Sequence, residues 1–293
     1  MKLGLQLNSF DWNGGSERFG RTLANIAQAA EEAGFDRIGV ADHVWQHPIM
    51  GGPLANEPEC YTTLAFLAAN TERAMLTAMV TGVHFRHPAV LAKMVTTLDV
   101  LSRGRAWLGI GSGHYEEETR GLGIPFPPQR ERFEMLEETV QICLRMWSGE
   151  RGDERPFDGK HYKLERPLNL PQSLSRPHPP IMIAGDGEKK TLRLVARYAD
   201  ACSLRPRPEI PEKLEILRRH CEAEGRNYEE IEKTCAFAFD VGEDGQKVGQ
   251  LLGQLRWLGE MGVETVIGAV PNVDRITPLE IIGREVIPAV ADL

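Results

Sequence analysis

The sequence predicts an α/β fold of the (β/α)8 TIM barrel class, and three features carry this prediction. Short apolar runs alternate with longer amphipathic segments along almost the whole chain, which is typical of parallel strands with helices outside them. The alternation repeats eight times. A chain of 293 residues fits eight such units closed into one barrel better than it fits an open doubly wound sheet.

Each predicted strand is a short apolar run, and each predicted helix has apolar positions at helical spacing. In the first helix these positions are Phe19, Leu23, Ile26 and Ala30, and Gly34 ends the segment. The predicted strands are 3–7, 37–41, 75–83, 105–110, 181–184, 199–204, 231–241 and 262–269, and the predicted helices are 16–33, 61–71, 87–101, 130–147, 188–198, 211–225, 246–261 and 278–290.

One segment breaks the alternation. Residues 148–180 are rich in proline and have no helical period, and Asp158-Gly159 within them indicates a hairpin turn. The segment falls between the fourth and fifth predicted strands. We therefore expect a single barrel domain over residues 1–293, with one insertion at about 148–180 after the fourth strand.

Charge and composition argue against several classes of protein. The net charge of -8, from 34 basic and 42 acidic residues, argues against nucleic acid or an anionic membrane as the main partner. The five cysteines form no CxxC pair, so neither a disulfide framework nor a zinc site is predicted. The first ten residues do not resemble a signal peptide, and no apolar run is long enough to span a membrane. We expect a cytoplasmic protein.

The loops that follow the strands carry function in barrels of this class. Asp42, His43 and Trp45 follow the second predicted strand. An imidazole exchanges a proton near neutral pH, and an indole offers a flat apolar wall to a ring-shaped ligand. The alternative is purely structural, with Asp42 capping a turn and His43 on the loop surface.

Glycines mark the ends of the third and fourth predicted strands. Gly82 indicates a bulge or a close backbone approach. The run Gly109–Gly113 is small enough for a planar ring to lie against its backbone, and His114 follows directly. The run does not fit a dinucleotide fingerprint, because its sixth position is His114 and it lies in mid-chain. Glu116–Glu118 is expected to be a solvated helix start.

The glycine-rich turn Gly185–Gly187 enters a predicted helix after the fifth strand. Free amides at a helix start bind anions, so a phosphate site is predicted here, with an ordinary tight turn as the alternative. His84 with His87, and His43 with His47, are the pairs whose imidazoles could bind a metal. They have no partners at a recurrent ligand spacing, and no metal is expected.

Together these segments resemble the bacterial luciferase-like superfamily, and within it the branch that uses the deazaflavin coenzyme F420. The resemblance covers nearly the whole chain. It rests on ADHVW, TGVHFRHPAVLAKMVTTLDVLSRGR, GIGSGHYEEE, GIPFPPQRERFEMLEE and IAGDGEKKTLRLVARYADAC.

The resemblance implies a barrel with its insertion after the fourth strand, a deazaflavin in the barrel mouth, and a homodimer. It places a non-prolyl cis peptide of the third-strand bulge at Gly82-Val83, and Trp45 in the substrate pocket. The cofactor-binding positions that it implies are Asp42, His43, Thr81, Gly82, Val83, Gly111, Ser112, Gly113, Ala184, Gly185, Asp186 and Gly187.

The function that follows is hydride transfer between C5 of the deazaflavin and a small organic substrate. His43 is the first candidate for the proton donor or acceptor and His114 the second. His114 stands where F420-dependent sugar-phosphate dehydrogenases have a glutamate, which argues against a sugar 6-phosphate substrate. Three alternatives remain: an FMN-dependent luciferase-like monooxygenase, a redox-inert barrel lyase or isomerase of a phosphorylated metabolite, and a non-catalytic cofactor-binding protein.

Overall fold

The computed structural model describes all residues from 1 to 293, and a barrel of parallel strands forms its centre. The strands are β1 Lys2–Leu7, β2 Arg37–Val40, β3 Met75–Ala78, β4 Thr81–Gly82, β5 Ala106–Gly111, β6 Phe157–Asp158, β7 Lys163–Leu164, β8 Ile181–Ala184, β9 Ala201–Leu204, β10 Glu232–Ala238 and β11 Thr265–Ala269.

The predicted barrel is confirmed. The order around it is β3-β2-β1-β11-β10-β9-β8-β5, and β5 pairs back onto β3 to close it. The first and last strands pair in parallel, with Lys2 opposite Thr265. β3 and β4 are two pieces of one barrel strand beside β5, which makes eight strands in all. Closure brings the carboxyl ends of all eight strands to one mouth.

The helices follow the strands along the chain as expected. The first, over residues 15–33, buries its Leu23, Ile26 and Ala30 side chains, and it ends at Gly34, whose φ of 95° suits glycine. The helices are α1 Gly15–Ala33, α2 Cys60–Asn70, α3 Pro88–Leu101, α4 Glu116–Gly121, α5 Gln129–Met146, α6 Thr191–Tyr198, α7 Ile210–Glu224, α8 Val248–Glu260, α9 Thr277–Ile281 and α10 Ile287–Val290.

Two predicted helices depart from the structure by more than the one- or two-residue differences found at the ends of the others. α6 starts at Thr191 rather than Glu188, because residues 188–190 form a turn. The last predicted helix, 278–290, is interrupted by a π-helical turn over Ile282–Val286. Pro288 has no N–H with which to continue the α-helical bonds, which accounts for the interruption.

The insertion follows α5 and contains the hairpin β6–β7. Its connection is a four-residue loop over 159–162, not the two-residue turn that Asp158-Gly159 indicates. The carboxylate of Glu138 on α5 accepts hydrogen bonds from the amides of Lys160, His161 and Tyr162, at 2.7, 3.0 and 3.0 Å. These bonds stabilise the hairpin loop against the barrel's outer helix.

The third barrel strand contains an extra residue. Thr77 lies opposite Trp107 and Thr81 lies opposite Ile110, so four steps on this strand face three on β5. This is the geometry of a β-bulge, and it lies before Gly82, not at it. The non-prolyl cis peptide lies inside the bulge, at Met79-Val80. Its expected position at Gly82-Val83 was therefore wrong.

The bulge explains a glycine on the neighbouring strand. A Cβ added at Gly109 would lie 2.0 Å from the carbonyl oxygen of Ala78, which is backbone and cannot rotate away. Glycine at this position therefore lets the bulged strand approach β5. Packing, rather than a ligand, accounts for Gly109.

The cysteines lie in the interior of the protein. All five cysteines are free and buried. Burial raises the pKa of the Cys202 and Cys235 thiols to about 12, so both stay protonated at neutral pH.

None of the helices is both long enough and apolar enough to cross a membrane.

Candidate functional site

Imidazole rings cluster at the mouth of the barrel. The ring centroids of His43, after β2, and His114, after β5, are 5.6 Å apart. The structure thus brings together the two side chains predicted as proton donors. His47 lies 5.9 Å from His43 and 5.4 Å from His114, and Tyr115 lies 5.1 Å from His47. From the sequence His47 is named only as a possible metal ligand and Tyr115 is not singled out, because nothing local indicates that they face this cluster.

A buried carboxylate holds His43. Glu118 on α4 is 0% exposed, and its Oε2 lies 2.8 Å from Nδ1 of His43. Its Oε1 accepts hydrogen bonds from the amides of Val44 and Trp45, at 2.5 and 2.9 Å. Glu118 therefore binds both the imidazole and the backbone of the same loop. The prediction that Glu116–Glu118 is a solvated helix start was wrong for this residue.

The carboxylate also sets the state of the imidazole. Burial acts to raise the pKa of Glu118, but hydrogen bonds from His43 and the Trp45 and Val44 amides hold the pKa below its usual range. An ionised carboxylate accepts, so Nδ1 of His43 carries the proton and Nε2 is left free toward the mouth. Asp42, which the resemblance places among the cofactor-binding residues, makes no hydrogen bond to this ring.

Asp42 is held by Arg86 instead. The carboxylate is 3% exposed, and both guanidinium nitrogens of Arg86 donate to it, at 2.5 and 3.0 Å. The same guanidinium donates to Glu59 at 2.6 Å and lies 4.8 Å above the ring of Tyr61. The Tyr61 hydroxyl is 2.9 Å from Oγ1 of Thr81 on β4. This network anchors the end of β2 to the strand beyond the bulge.

The other imidazoles at the mouth have lowered pKa values. Partial desolvation, followed by the neighbouring His43, lowers the pKa of His47. Desolvation together with His43 and His47 lowers the pKa of His114. Desolvation and the charge of Arg132 lower the pKa of His84 to about 4. Near neutral pH these rings are therefore uncharged, and the mouth holds no cluster of imidazolium cations.

The glycine segment after β5 packs against His84. Gly113 has a φ of 78°, in the region that favours glycine, and a Cβ there would lie 2.3 Å from the His84 ring. Gly111 pairs with Gly82 on β4. The carbonyl of Ser112 accepts a hydrogen bond from Nε of Arg132 at 3.0 Å. The backbone conformation and the packing against His84 thus explain why residue 113 is a glycine. That a planar ring of a ligand lies against the backbone of Gly109–Gly113 stays a prediction.

Trp45 lies against α4. A Cβ at Gly121 would be 2.0 Å from the edge of its indole, so only glycine fits beneath the ring. The Trp45 amide donates a hydrogen bond to the buried carboxylate of Glu118. Trp45 therefore contacts α4 through both its indole ring and its backbone. Its predicted place as a wall of the substrate pocket stays a prediction.

The loop after β8 offers unpaired amides. The N–H of Gly185 donates to Ser203 of β9 at 2.9 Å, so it is not available to a ligand. The next backbone donor is Leu192, which bonds the carbonyl of Gly187 at 3.0 Å. The five amides of residues 187–191 between them donate no hydrogen bond within the chain, and no side chain caps α6. This is the arrangement that binds phosphate at a helix start.

The carboxylate of this loop is ion-paired. Both nitrogens Nε and Nη2 of Arg205 donate to Asp186, at 2.9 and 2.6 Å. The hydrogen bonds from Arg205 hold the pKa of Asp186 below its usual range. Pairing neutralises the Asp186 carboxylate, and the other carboxylate of the loop, that of Glu188, is paired with Lys213. Within the predicted segment Ala184–Gly187, the Gly185 amide is used by Ser203 and Gly187 has a free amide, so the unpaired donors lie mainly beyond this segment. Asp186 is a partner of Arg205, and the phosphate site stays a prediction.

One carboxyl near the mouth has no partner. Neither oxygen of Glu57 makes a hydrogen bond, and both are buried. Burial, with the nearby charges of Glu118 and Asp42, raises the pKa of Glu57 to about 8. The side chain is therefore mainly a neutral acid at pH 7. Nothing in the sequence singles out Glu57, because its lack of a partner depends on how distant segments meet in the fold.

No group of three or more histidine, cysteine, aspartate or glutamate side chains is arranged to hold a metal ion. The residues at the mouth thus provide an imidazole fixed by a carboxylate, a neutral acid, and a loop of free amides. Such a set suits proton transfer beside a bound anionic group.

The family model for luciferase-like monooxygenases matches residues 4–269. The chain belongs to the luciferase-like monooxygenase family. The match covers the barrel from β1 to β11, so it includes every site residue described above. The resemblance stated from the sequence is confirmed at the level of the family.

Relatives within this family are coenzyme F420 enzymes. An F420-dependent glucose-6-phosphate dehydrogenase of Nakamurella multipartita is 31% identical over 82% of this chain and 70% of its own length. A protein of the same name from Kineococcus radiotolerans is 33% identical over 76% of this chain and 64% of its own length. The relatives are thus longer than this chain. They support the F420-dependent branch that the sequence motifs indicated.

A solved structure confirms the fold. The F420-dependent tetrahydromethanopterin reductase of Methanopyrus kandleri superimposes with a TM-score of 0.78, at 18% identity, and 98% of each chain is covered. At 18% identity, this similarity shows only that the two proteins share the same fold.

Proposed function

We propose that this protein is a coenzyme F420-dependent oxidoreductase that transfers a hydride between the deazaflavin and a small organic substrate. The observation that carries the proposal is the pair His43–Glu118, in which a buried carboxylate fixes an imidazole with Nε2 free at the barrel mouth. The F420-dependent relatives, at 31% and 33% identity, support the cofactor.

The residues of the mouth fit this cofactor. Its phosphate would be held by the free amides of residues 187–191, beside Gly185 and the paired Asp186. Its ring would lie over the ends of β4 and β5, where Thr81–Val83 and Gly111–Gly113 present mainly backbone and small side chains. When bound, the deazaflavin supplies C5 as a two-electron hydride donor or acceptor.

The chain's own part in the reaction is to orient the substrate and to move a proton. Nε2 of His43 takes a proton from an alcohol or amine that is oxidised, or gives one to a carbonyl, enone or imine that is reduced. Glu118 keeps the ring in one orientation and balances its positive charge when it is protonated. His114, 5.6 Å away between ring centroids, is the second candidate for this proton.

The local charge favours neutral substrates. Asp42 is paired with Arg86 and Glu57 is mainly a neutral acid at pH 7, which leaves the ionised Glu118 as the carboxylate beside His43. The nearby His47 and His114 rings are uncharged at neutral pH, so this cluster offers an anionic substrate no free cation. This charge pattern, together with His114 at the position where F420-dependent sugar-phosphate dehydrogenases have a glutamate, argues against glucose 6-phosphate as the substrate. The relatives are nevertheless named as glucose-6-phosphate dehydrogenases.

The remaining proposals concern organisation. Residues 1–293 form a single domain with the insertion at 148–180, and two copies associate as a homodimer in the cytoplasm. The continuous hydrophobic core between barrel and helices supports the single domain. Gel filtration with light scattering tests the homodimer.

A substrate screen tests the proposed activity. Oxidised F420 is mixed with alcohols and amines, reduced F420 with enones, ketones and imines, and the deazaflavin absorbance is followed. Glucose 6-phosphate is included in the first set. We expect turnover with at least one neutral compound, none with glucose 6-phosphate, and loss of turnover in His43→Ala. Oxygen consumption with reduced FMN, and no reaction with F420, would instead identify a monooxygenase.

A further inference from the structure

A side cavity with an aromatic wall opens at the same end of the barrel as the imidazole cluster. Its volume is about 260 Å³, and it lies between the loop after β1, the start of α1 and the segment 56–58 before α2. Cavities of this size suit ligands that are smaller than a drug-sized molecule. None of the residues assigned above to the coenzyme or to proton transfer lines this cavity.

Three aromatic side chains form the wall. The ring centroids of Trp12 and Phe19 are 5.1 Å apart and the two rings are stacked. The ring of Phe10 lies 5.5 Å from that of Trp12 and 6.2 Å from that of Phe19. Aromatic side chains pack against the apolar body of an organic ligand, and their ring faces attract a cation. The wall therefore suits an organic cation as well as a neutral ring.

The cavity also contains a carboxyl group without a partner. Glu57 is the one ionisable residue of the lining, so the chain supplies no cation for its carboxyl there. The Glu57 residue is partly exposed, yet both carboxyl oxygens are buried and make no hydrogen bond. Because no hydrogen bond fixes the carboxyl, it is free to turn toward a ligand in the cavity.

The other charged groups around Glu57 have partners of their own. Glu118 on α4 is bound by His43 and two amides, and Asp42 after β2 is bound by Arg86. The remaining groups of this region are Asp11, which accepts from Asn56, Glu59, which accepts from Arg86, and the buried thiol of Cys60. Burial, with the negative charges of Glu118 and Asp42, raises the pKa of Glu57 to about 8. A positive charge placed beside the carboxyl would lower that pKa again.

We propose that this cavity binds an organic amine in its cationic form, with the ammonium group against the Glu57 carboxylate and the apolar body against the aromatic wall. The ligand supplies what the lining does not contain, a cation to pair with a buried carboxyl. When the ammonium binds, the proton of Glu57 passes to the solvent, so the two charges balance inside the cavity. The site lies apart from the proposed hydride transfer, and its test needs neither coenzyme nor turnover.

Calorimetric titration with a matched pair of probes tests the proposal. Phenethylamine carries the ammonium group, and phenethyl alcohol is a neutral molecule of nearly the same shape. At about pH 8 we expect the amine to bind at least about 10-fold more tightly, because a charge-assisted hydrogen bond to a buried group contributes that much. Equal affinities would show that the cavity takes neutral ligands, and would overturn the proposal.

Proton release gives a readout that packing alone does not produce. Titrations in two buffers with different heats of ionisation count the protons exchanged on binding. At about pH 6.5 the Glu57 carboxyl is protonated before binding, so we expect the amine to release about one proton. At about pH 9 the carboxylate is already ionised, so the release should fall toward zero while the affinity rises. Amine binding without proton release at the lower pH would contradict the proposal.

One substitution locates the effect at Glu57. Glu57→Gln keeps the shape of the side chain but cannot ionise. It is expected to weaken amine binding about 10- to 100-fold, to abolish the proton release and to leave the alcohol unchanged. Glu17→Gln is the matched control, since Glu17 is exposed on α1 and lies outside the cavity. It should bind both probes as the parent does.

The outcomes leave the proposed function untouched. If Glu57→Gln keeps the amine affinity and the proton release, the ammonium does not pair with Glu57 and the inference is wrong. The inference is also wrong if phenethylamine shows no saturable binding to the parent protein.

Discussion

Nδ1 of His43 lies 2.8 Å from a carboxylate oxygen of Glu118, a residue that is wholly buried and 75 positions away in the chain. The second oxygen of Glu118 binds two amides of the loop that carries His43. One side chain therefore sets the position of the loop, the orientation of the imidazole and its protonation pattern.

Replacing Glu118 should affect both stability and the His43 ring. Glu118→Ala empties a fully buried site and leaves the Val44 and Trp45 amides and the His43 ring without their acceptor, and we expect a loss of about 2–4 kcal/mol in unfolding free energy. Glu118→Gln keeps one acceptor but presents an amide donor to the ring. Nitrogen NMR of the histidines should then show His43 losing its Nδ1–H tautomer.

Glu117→Gln is the control for these variants. Glu117 is the exposed neighbour in the same acidic run, so its loss should change neither the melting temperature nor the His43 spectrum. If Glu118→Gln leaves the His43 tautomer as it is, the carboxylate does not set that tautomer.

Removing the two candidate proton donors should have unequal effects. We expect His43→Ala to lower kcat about 100-fold or more, because general acid–base catalysis contributes that much. His114→Ala should have a smaller effect, since no carboxylate fixes its ring. Coenzyme affinity, measured by fluorescence, should remain within a few-fold in both. A larger kcat loss in His114→Ala would reverse the assignment.

Glu57 should make the protein less stable as the pH rises. Its folded pKa of about 8 lies above its unfolded value, so the folded state binds more protons between about pH 4.5 and pH 8, and stability falls through that window. Glu57→Gln removes this penalty. Relative to the parent it should gain roughly 2–4 kcal/mol near pH 8 and little near pH 4.5.

Denaturant unfolding at several pH values measures the Glu57 effect, with Glu116→Gln as the control, because Glu116 is an exposed residue of α4. A gain that is the same at all pH values would come from packing and not from titration. A loss of stability near pH 8 would mean that the Glu57 carboxylate has a favourable partner.

The bulge makes Gly109 intolerant of a side chain. Gly109→Ala places a Cβ 2.0 Å from the Ala78 carbonyl, so β5 must move away from the bulged strand, and we expect a destabilisation of about 2–4 kcal/mol. Gly253→Ala in α8 meets nothing within 4 Å and should stabilise by about 0.5–1 kcal/mol. Thermal unfolding of the two variants gives the comparison, and equal effects would argue against the clash.

The strands and helices were predictable because their signals are local. Apolar periodicity placed β8 at the residues that the structure shows, and Gly34 marked the end of α1. Local signals failed where the backbone departs from a regular element. The turn at 188–190 delays α6, and the extra residue before Thr81 shifts the bulge and its cis peptide ahead of Gly82.

The candidate site was predictable in part. Strand ends identified Asp42, His43 and His114, because a barrel gathers the residues after each strand at one mouth. Partners from distant segments could not be predicted. The Arg86 that binds Asp42 is 44 positions away. Glu118 is one of three consecutive glutamates, and only the direction of α4 decides which of them is buried.

Parallel equilibrium titrations with coenzyme F420 and with FMN test the central claim most directly. We expect F420 to bind with saturable fluorescence quenching and with at least about tenfold higher affinity than FMN. Tight binding of FMN with no detectable binding of F420 would contradict the assignment as an F420-dependent oxidoreductase.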